Sequence, residues 1–182
     1  MNKSTALPYS IIALDLDGTL TNSEKNITPR TFDALMKAQR EGVRLVLASG
    51  RPTFGIAALA NQLQLADYGG YVLSYNGGRI IDWCEKTVIF SQVVDQKLVP
   101  ILYDFAEKNQ LPIVTYLPEA ILASKNEGEY LAEEARINGM PIVVAQNFVE
   151  EAMQIAGGST KFLIPGEPEL LIQLESEMKA AL

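Results

Sequence analysis

The chain of 182 residues contains no histidine and a single cysteine, Cys84. Without histidine there can be no Ser-His-Asp machinery and no imidazole-ligated metal. With one cysteine no intrachain disulfide can form, which suits a reducing compartment. No apolar run approaches the ~20 residues that a membrane helix needs. The opening MNKSTALPYS lacks the continuous apolar stretch of a signal peptide, so the chain reads as cytoplasmic with no membrane partner. Basic residues are outnumbered, 15 Lys and Arg against 22 Asp and Glu. A net charge of −7 argues against nucleic acid held on a basic surface. An anionic ligand would need local help from a cation or a helix N-terminus, and any metal should be hard and oxygen-bound. What is present is globular: 48% hydrophobic and 20% charged, enough chain for one domain or one and a half small ones.

The stretch that organises the sequence is Ile11 to Leu20, IIALDLDGTL. Ile11 to Leu14, with Leu16, reads as a strand buried on both faces. Asp15 and Asp17 fall at its C-terminal end, and side chains two apart on an extended backbone point the same way. The carboxyl end of a buried strand is where open α/β sheets bind ligands. Two carboxylates aimed together cost several kcal/mol in repulsion and desolvation unless a cation or a shared proton offsets them. Read without that argument, the same residues are an Asp-rich turn closing a strand.

Thr28-Pro29 predicts a helix start, with Thr as N-cap and Pro in the first turn. Phe32, Leu35 and Met36 carry helical spacing to about Arg40, and Glu41-Gly42 ends it. Val43 to Ala48 is a second strand, giving a parallel βαβ unit whose two strand ends lie side by side. The second strand runs into Ser49-Gly50-Arg51-Pro52, and a helix follows with Ile56, Leu59, Ala60 and Leu63 on one face. A serine at that junction either caps the helix or binds an anion, and Gly50 lets backbone approach a ligand. Arg51, read alone, is a surface arginine. Tyr71 to Tyr75 is a third strand. It ends in Asn76-Gly77-Gly78, a turn signal for a hairpin into Arg79 to Trp83.

DLDGT resembles the first motif of the haloacid dehalogenase superfamily of phosphatases and phosphotransferases. The resemblance implies that Asp15 is the nucleophile and Asp17 the general acid/base. It also implies that the Asp15 carboxylate and the Asp17 backbone carbonyl hold Mg²⁺. ASGRP resembles the second motif of that family, which implies that Ser49 holds the transferring phosphoryl group, with Gly18 and Gly50 offering backbone N–H groups. Arg51 follows the SGR pattern of a subfamily and would orient the phosphate or close the site. The Asn76-Gly77-Gly78 element is similar to that of Cof-type members, which carry a large α/β cap, and places Asn76 near the active-site mouth.

From Asp82 the pattern changes. Val88 to Val94 is strand-like, Asp95 to Lys108 is helical through Leu98, Ile101, Leu102 and Phe105, and Leu111 to Leu117 and Ala120 to Ser124 are short strands. A helix over Glu127 to Ile137, a strand over Pro141 to Ala145 and a short helix capped by Asn147 follow. A strand over Lys161 to Ile164 and a helix over Glu167 to Leu182 complete the succession. Cys84 reads as a buried or half-buried small apolar residue. The expected fold is α/β, a partial Rossmann-like parallel-sheet core over residues 1–81 with an α+β cap over 82–182.

The family pattern continues past such a cap with a lysine motif and a second acidic motif, neither of which is found here; Lys161 reads as a structural residue of a cap strand. The first strand should therefore lie at an open sheet edge. The leading expectation is a Mg²⁺-dependent phosphomonoester hydrolase acting on a small phosphorylated metabolite, such as a sugar phosphate. Two others stand beside it: a catalytically impaired module that self-associates through the open sheet edge, and a phosphomutase.

Overall fold

The computed structural model describes residues 9–181. Met1 to Pro8, most of the opening read above as no signal peptide, lie outside the described residues, as does Leu182 at the end of the last expected helix. The chain divides into two compact units with the boundary between Ser91 and Gln92.

The first unit runs β1 (Ile11–Asp15), α1 (Pro29–Arg40), β2 (Arg44–Ala48), α2 (Thr53–Gln62), α3 (Leu65–Tyr68), β3 (Tyr71–Ser74), β4 (Arg79–Asp82) and β5 (Thr87–Ser91). Its sheet has the order β1-β2-β3-β4-β5. The first two pairings are parallel and the last two antiparallel. This is a Rossmann-like α/β unit extended by a hairpin. The start of α1 follows its local chemistry: the Thr28 hydroxyl accepts the Thr31 N–H at 3.3 Å, and Pro29 occupies the first turn. Lys37 and Arg40 in its last turn complement the helix dipole. β2 is an inner strand, and its Leu45 and Leu47 are fully buried with Leu16, Ile56, Leu63 and Val72. Truncating Leu47 to Ala leaves a hole in this layer. The expected loss is about 3 kcal/mol, read as a lower urea midpoint at unchanged slope.

The strand register aligns the carboxyl ends that matter. Asp15 stands opposite Ala48, and Ala48 opposite Leu73, so β1, β2 and β3 all finish on one edge of the sheet. The expectation that β1 is buried on both faces does not hold. Its residues alternate between exposed and half-buried, and Ile11 is 57% exposed. The reason is its place in the order: β1 pairs with β2 alone among the described strands, which is the open edge anticipated from the sequence. The boundary expected after Ile81 falls ten residues later, because β4 and β5 complete this sheet. Cys84 is exposed, not buried. It lies in the turn between β4 and β5, where the Asp82 carboxylate accepts the backbone N–H groups of Cys84 and Glu85 at 2.9 and 3.1 Å.

The second unit contains α4 (Leu98–Lys108), β6 (Val114–Tyr116), β7 (Ile121–Ala123), α5 (Glu129–Asn138), β8 (Ile142–Val144), α6 (Phe148–Met153) and α7 (Pro168–Ala181). Its sheet has the order β6-β7-β8, antiparallel then parallel. The strand expected over Lys161 to Ile164 is reduced to one antiparallel bridge between Leu163 and Val114. α4 turns inward a face shifted from the one expected: Leu102 packs on the core as expected and Ile101 is 43% exposed, while the face centres on the buried Val99 and Ala106. They pack with Ile113, Leu122, Phe148 and Ala152. Asn147 caps α6 as expected, its side chain accepting the Glu150 N–H at 3.2 Å. An apolar cavity of about 460 Å³ opens between α4 and α7, lined by Leu102, Phe105, Leu171 and Met178 among others.

Candidate active site

The end of β1 is shaped by the residue between the two aspartates. Leu16 is fully buried, so Asp15 and Asp17 on either side are turned outward to solvent. The chain then doubles back through Gly18, whose φ of +79° is a left-handed conformation suited to glycine. The return is fastened by Leu20 N–H to the Asp15 carbonyl at 3.1 Å. Thr21 adds two bonds to the Leu16 carbonyl, from its N–H and its hydroxyl, both at 2.9 Å. Leu20 and Thr21 are themselves buried, so the Asp15 to Thr21 turn is a packed structure.

The end of β2 supplies the facing residues. Ser49 is buried at 9% exposure. Its N–H donates to Leu73 and its carbonyl accepts from Asn76, at 2.9 and 3.0 Å. Its hydroxyl oxygen accepts the Arg51 N–H at 3.2 Å, which leaves the hydroxyl hydrogen to donate elsewhere. Ser49 does not cap the following helix: α2 begins at Thr53 behind Pro52, without a side-chain cap. Gly50 lies against Asn76. A Cβ at Gly50 would sit 3.2 Å from the Asn76 side-chain oxygen, which is why glycine fits between the two strand ends. Asn76, with φ +59°, belongs to a short 3₁₀ turn over Tyr75 to Gly77 that leads into β4. It therefore serves the hairpin and borders the site at once.

Arg51 is the residue whose position the sequence did not reveal. Its guanidinium forks onto the Asp17 carboxylate, Nη2 to Oδ1 at 2.6 Å and Nε to Oδ2 at 3.0 Å. A second cation joins them: Lys25 Nζ lies 2.8 Å from Asp17 Oδ1. The Arg51 side chain is 9% exposed, against 38% for Lys25 and 39% for Asp17. The hydrogen bond from Arg51 holds the Asp17 carboxyl below its usual range, with Lys25 adding to it and partial burial opposing it. Lys25 was not singled out by sequence reasoning. Its only signal was a polar stretch, Thr21 to Asn26, with asparagines at Asn22 and Asn26.

Asp15 differs from Asp17. No hydrogen bond or ion pair engages its carboxylate among the described residues, and the residue is exposed. An unengaged carboxylate beside a charge-compensated one suits a hard divalent cation, which takes one or two protein carboxylates and fills its remaining positions with water and ligand phosphate. The residues present therefore fit Mg²⁺ at Asp15 with the Asp17 backbone. Among the described residues no group of three or more acidic, Cys or His side chains gathers anywhere, so a metal here would rest on Asp15, the Asp17 backbone, water and ligand oxygens. Lys161 lies in the second unit, half-buried, its ammonium pKa pushed down by desolvation against the opposing charge of Glu134.

A crystal structure of a haloacid dehalogenase-like hydrolase from Bacteroides thetaiotaomicron superposes with a TM-score of 0.86 at 44% identity, over 93% of this chain and 63% of that one. The phosphatase YwpJ of Bacillus subtilis is 30% identical over 124 residues, 68% of this chain and 42% of that protein. The fold is also that of a sugar phosphatase of subclass IIB, BT4131, with a TM-score of 0.59 at 23% identity, over 78% of this chain and 54% of that one. The chain spans about half the length of the curated relatives it matches. Residues 12–182 match the haloacid dehalogenase-like hydrolase family, and the chain belongs to it.

Proposed function

We propose that this chain hydrolyses the phosphate monoester of a small metabolite with Mg²⁺, through a phosphorylated Asp15. The observation that supports the proposal is that Asp15 ends β1 opposite Ala48, the residue before Ser49, while Arg51 bonds both the Ser49 hydroxyl and the Asp17 carboxylate. The unengaged Asp15 carboxylate attacks phosphorus in line. A bond forms between its oxygen and phosphorus while the bond to the leaving oxygen breaks. Asp17 passes a proton to that oxygen, then takes one from the water that attacks phosphorus and frees Asp15. The ion pairs hold Asp17 as a carboxylate, the form that the second step needs; a monoanionic phosphomonoester brings the proton for the first. The Ser49 hydroxyl and the backbone N–H groups about Gly18 and Gly50 donate to the phosphoryl oxygens. Bound Mg²⁺ supplies charge neutralisation on those oxygens.

The second unit is the candidate cap, which would exclude water and choose the substrate. A small phosphorylated substrate agrees with two similar proteins: a Bacillus subtilis relative is a 5-amino-6-(5-phospho-D-ribitylamino)uracil phosphatase, and the subclass IIB structure is a sugar phosphatase. The low cysteine content supports a cytoplasmic setting, and no helix among the described residues is long and apolar enough to cross a membrane. The test is turnover of p-nitrophenyl phosphate. It should require Mg²⁺, stop in EDTA and return when Mg²⁺ is added in excess. Undiminished turnover in EDTA, or none with Mg²⁺, would overturn the proposal.

A further inference from the structure

The polar stretch Thr21 to Asn26 is not absorbed by the mechanism above, yet it is built with care. The Asn22 side-chain oxygen accepts the N–H groups of Glu24 and Asn26 at 3.0 and 2.9 Å. The Asn22 N–H donates to the Asn26 carbonyl at 3.0 Å, and its carbonyl accepts the Lys25 N–H at 2.9 Å. Four bonds thus close a turn around one asparagine. Within it Lys25 adopts φ +63°, a left-handed conformation that favours glycine or asparagine. A long side chain held there against its backbone preference points to work done by the side chain.

That side chain ends on Asp17, but Asp17 does not depend on it. Arg51 alone engages both carboxylate oxygens, and its Nη1 also donates to the Gly55 carbonyl at 3.4 Å, so the guanidinium is anchored from two sides. Lys25 shares an oxygen already taken by Arg51, stands on the solvent side, and carries an ammonium with three donors on a flexible stem. Of the two cations, Lys25 is the one able to move. A phosphoryl group arriving between Asp15 and Asp17 brings negative charge into a chain that already carries −7, and this ammonium, 2.8 Å from Asp17 Oδ1, is a mobile cation beside it.

We propose that Lys25 is a phosphate-binding residue: its ammonium rests on Asp17 in the ligand-free chain and transfers to an oxygen of the bound phosphoryl group. This rests on the phosphatase reading of the same site.

The experiment compares the unaltered chain with Lys25→Gly and Lys25→Arg. Glycine keeps the left-handed turn and removes the ammonium; arginine keeps the charge. Inorganic phosphate is titrated into each by calorimetry with Mg²⁺ present, and p-nitrophenyl phosphate turnover is measured alongside. The expected result is phosphate affinity weakened about tenfold in Lys25→Gly and restored to within about threefold in Lys25→Arg. KM should rise by a similar factor with little change in kcat, since the contact exists in ground and transition states alike. Unchanged phosphate affinity in Lys25→Gly overturns the proposal and leaves the phosphatase reading intact. A fall in kcat at unchanged KM and affinity also overturns it, by confining Lys25 to the support of Asp17. An unaltered chain that neither binds phosphate nor turns over substrate overturns both readings.

Discussion

Asp15→Asn abolishes turnover of p-nitrophenyl phosphate, with an expected loss on the order of 10⁴-fold in kcat. The amide matches the carboxylate in shape but has no negative oxygen to attack phosphorus, and it is a poorer ligand for a hard cation. The loss should come without unfolding. Asp15 is exposed and its side chain has no partner to lose among the described residues, so the urea midpoint should correspond to a change within about 0.5 kcal/mol. Relief of repulsion from Asp17 would, if anything, raise it. Mass spectrometry after brief mixing with substrate provides a second readout: a phosphate adduct on the unaltered chain that maps to the Asp15 peptide and is absent from Asp15→Asn. Turnover that survives the substitution removes Asp15 from the nucleophile role.

Arg51→Met has the second largest expected effect, a fall in kcat/KM of about 10²-fold or more. Arg51 fixes both oxygens of Asp17, so its removal lets the carboxylate proposed as acid/base rotate while Lys25 holds one oxygen alone. Arg51→Lys should recover little, because an ammonium cannot reproduce a planar two-pronged grip. The Asp17 carboxyl pKa should rise toward the usual carboxylate range, since Arg51 is the main cause of its depression. Carboxyl carbon shifts followed by NMR across the acid range would show this. The sign for stability follows. A depressed folded-state pKa contributes stability above the unfolded value of about 3.8, and that contribution is lost as pH falls through the lower folded-state value. Asp17 is more than one third exposed, so solvent screening keeps the contribution small. A catalytic defect that far exceeds the stability change is therefore the mark of Arg51 acting on Asp17.

Features written in neighbouring residues were legible from sequence. Thr28-Pro29 opens α1 because hydroxyl capping and the fixed φ of proline need no distant partner. Asp15 and Ser49 come together because a strand, a helix and a second strand form one parallel unit whose tips share an edge. What stayed hidden depends on groups far apart or on which face a helix turns. Arg51 and Asp17 are 34 residues apart, and nothing local shows that the guanidinium will fold back onto the carboxylate. In α4, Leu98 and Ile101 carried the stronger hydrophobic signal, but Val99 and Ala106 fit against the sheet. Cys84 was placed by its chemistry as a small apolar residue and lies in an exposed turn, because the Asp82 carboxylate and the β4–β5 hairpin fix the local chain. The boundary shift to Ser91 has the same origin: whether a strand joins one sheet or another is decided by pairing across the sheet.

The position of β1 has a dynamic corollary. Amides on its outer side have no ladder to belong to among the described strands, so deuterium should enter there well before it enters β2. The carboxylate proposed to strike phosphorus thus rides on an edge rung of the sheet, one more easily frayed than its inner neighbour β2. Its aim is kept by the ladder to β2, by the bonds that tie Leu20 and Thr21 back to Asp15 and Leu16, and by Leu16 sunk beneath it like a keel.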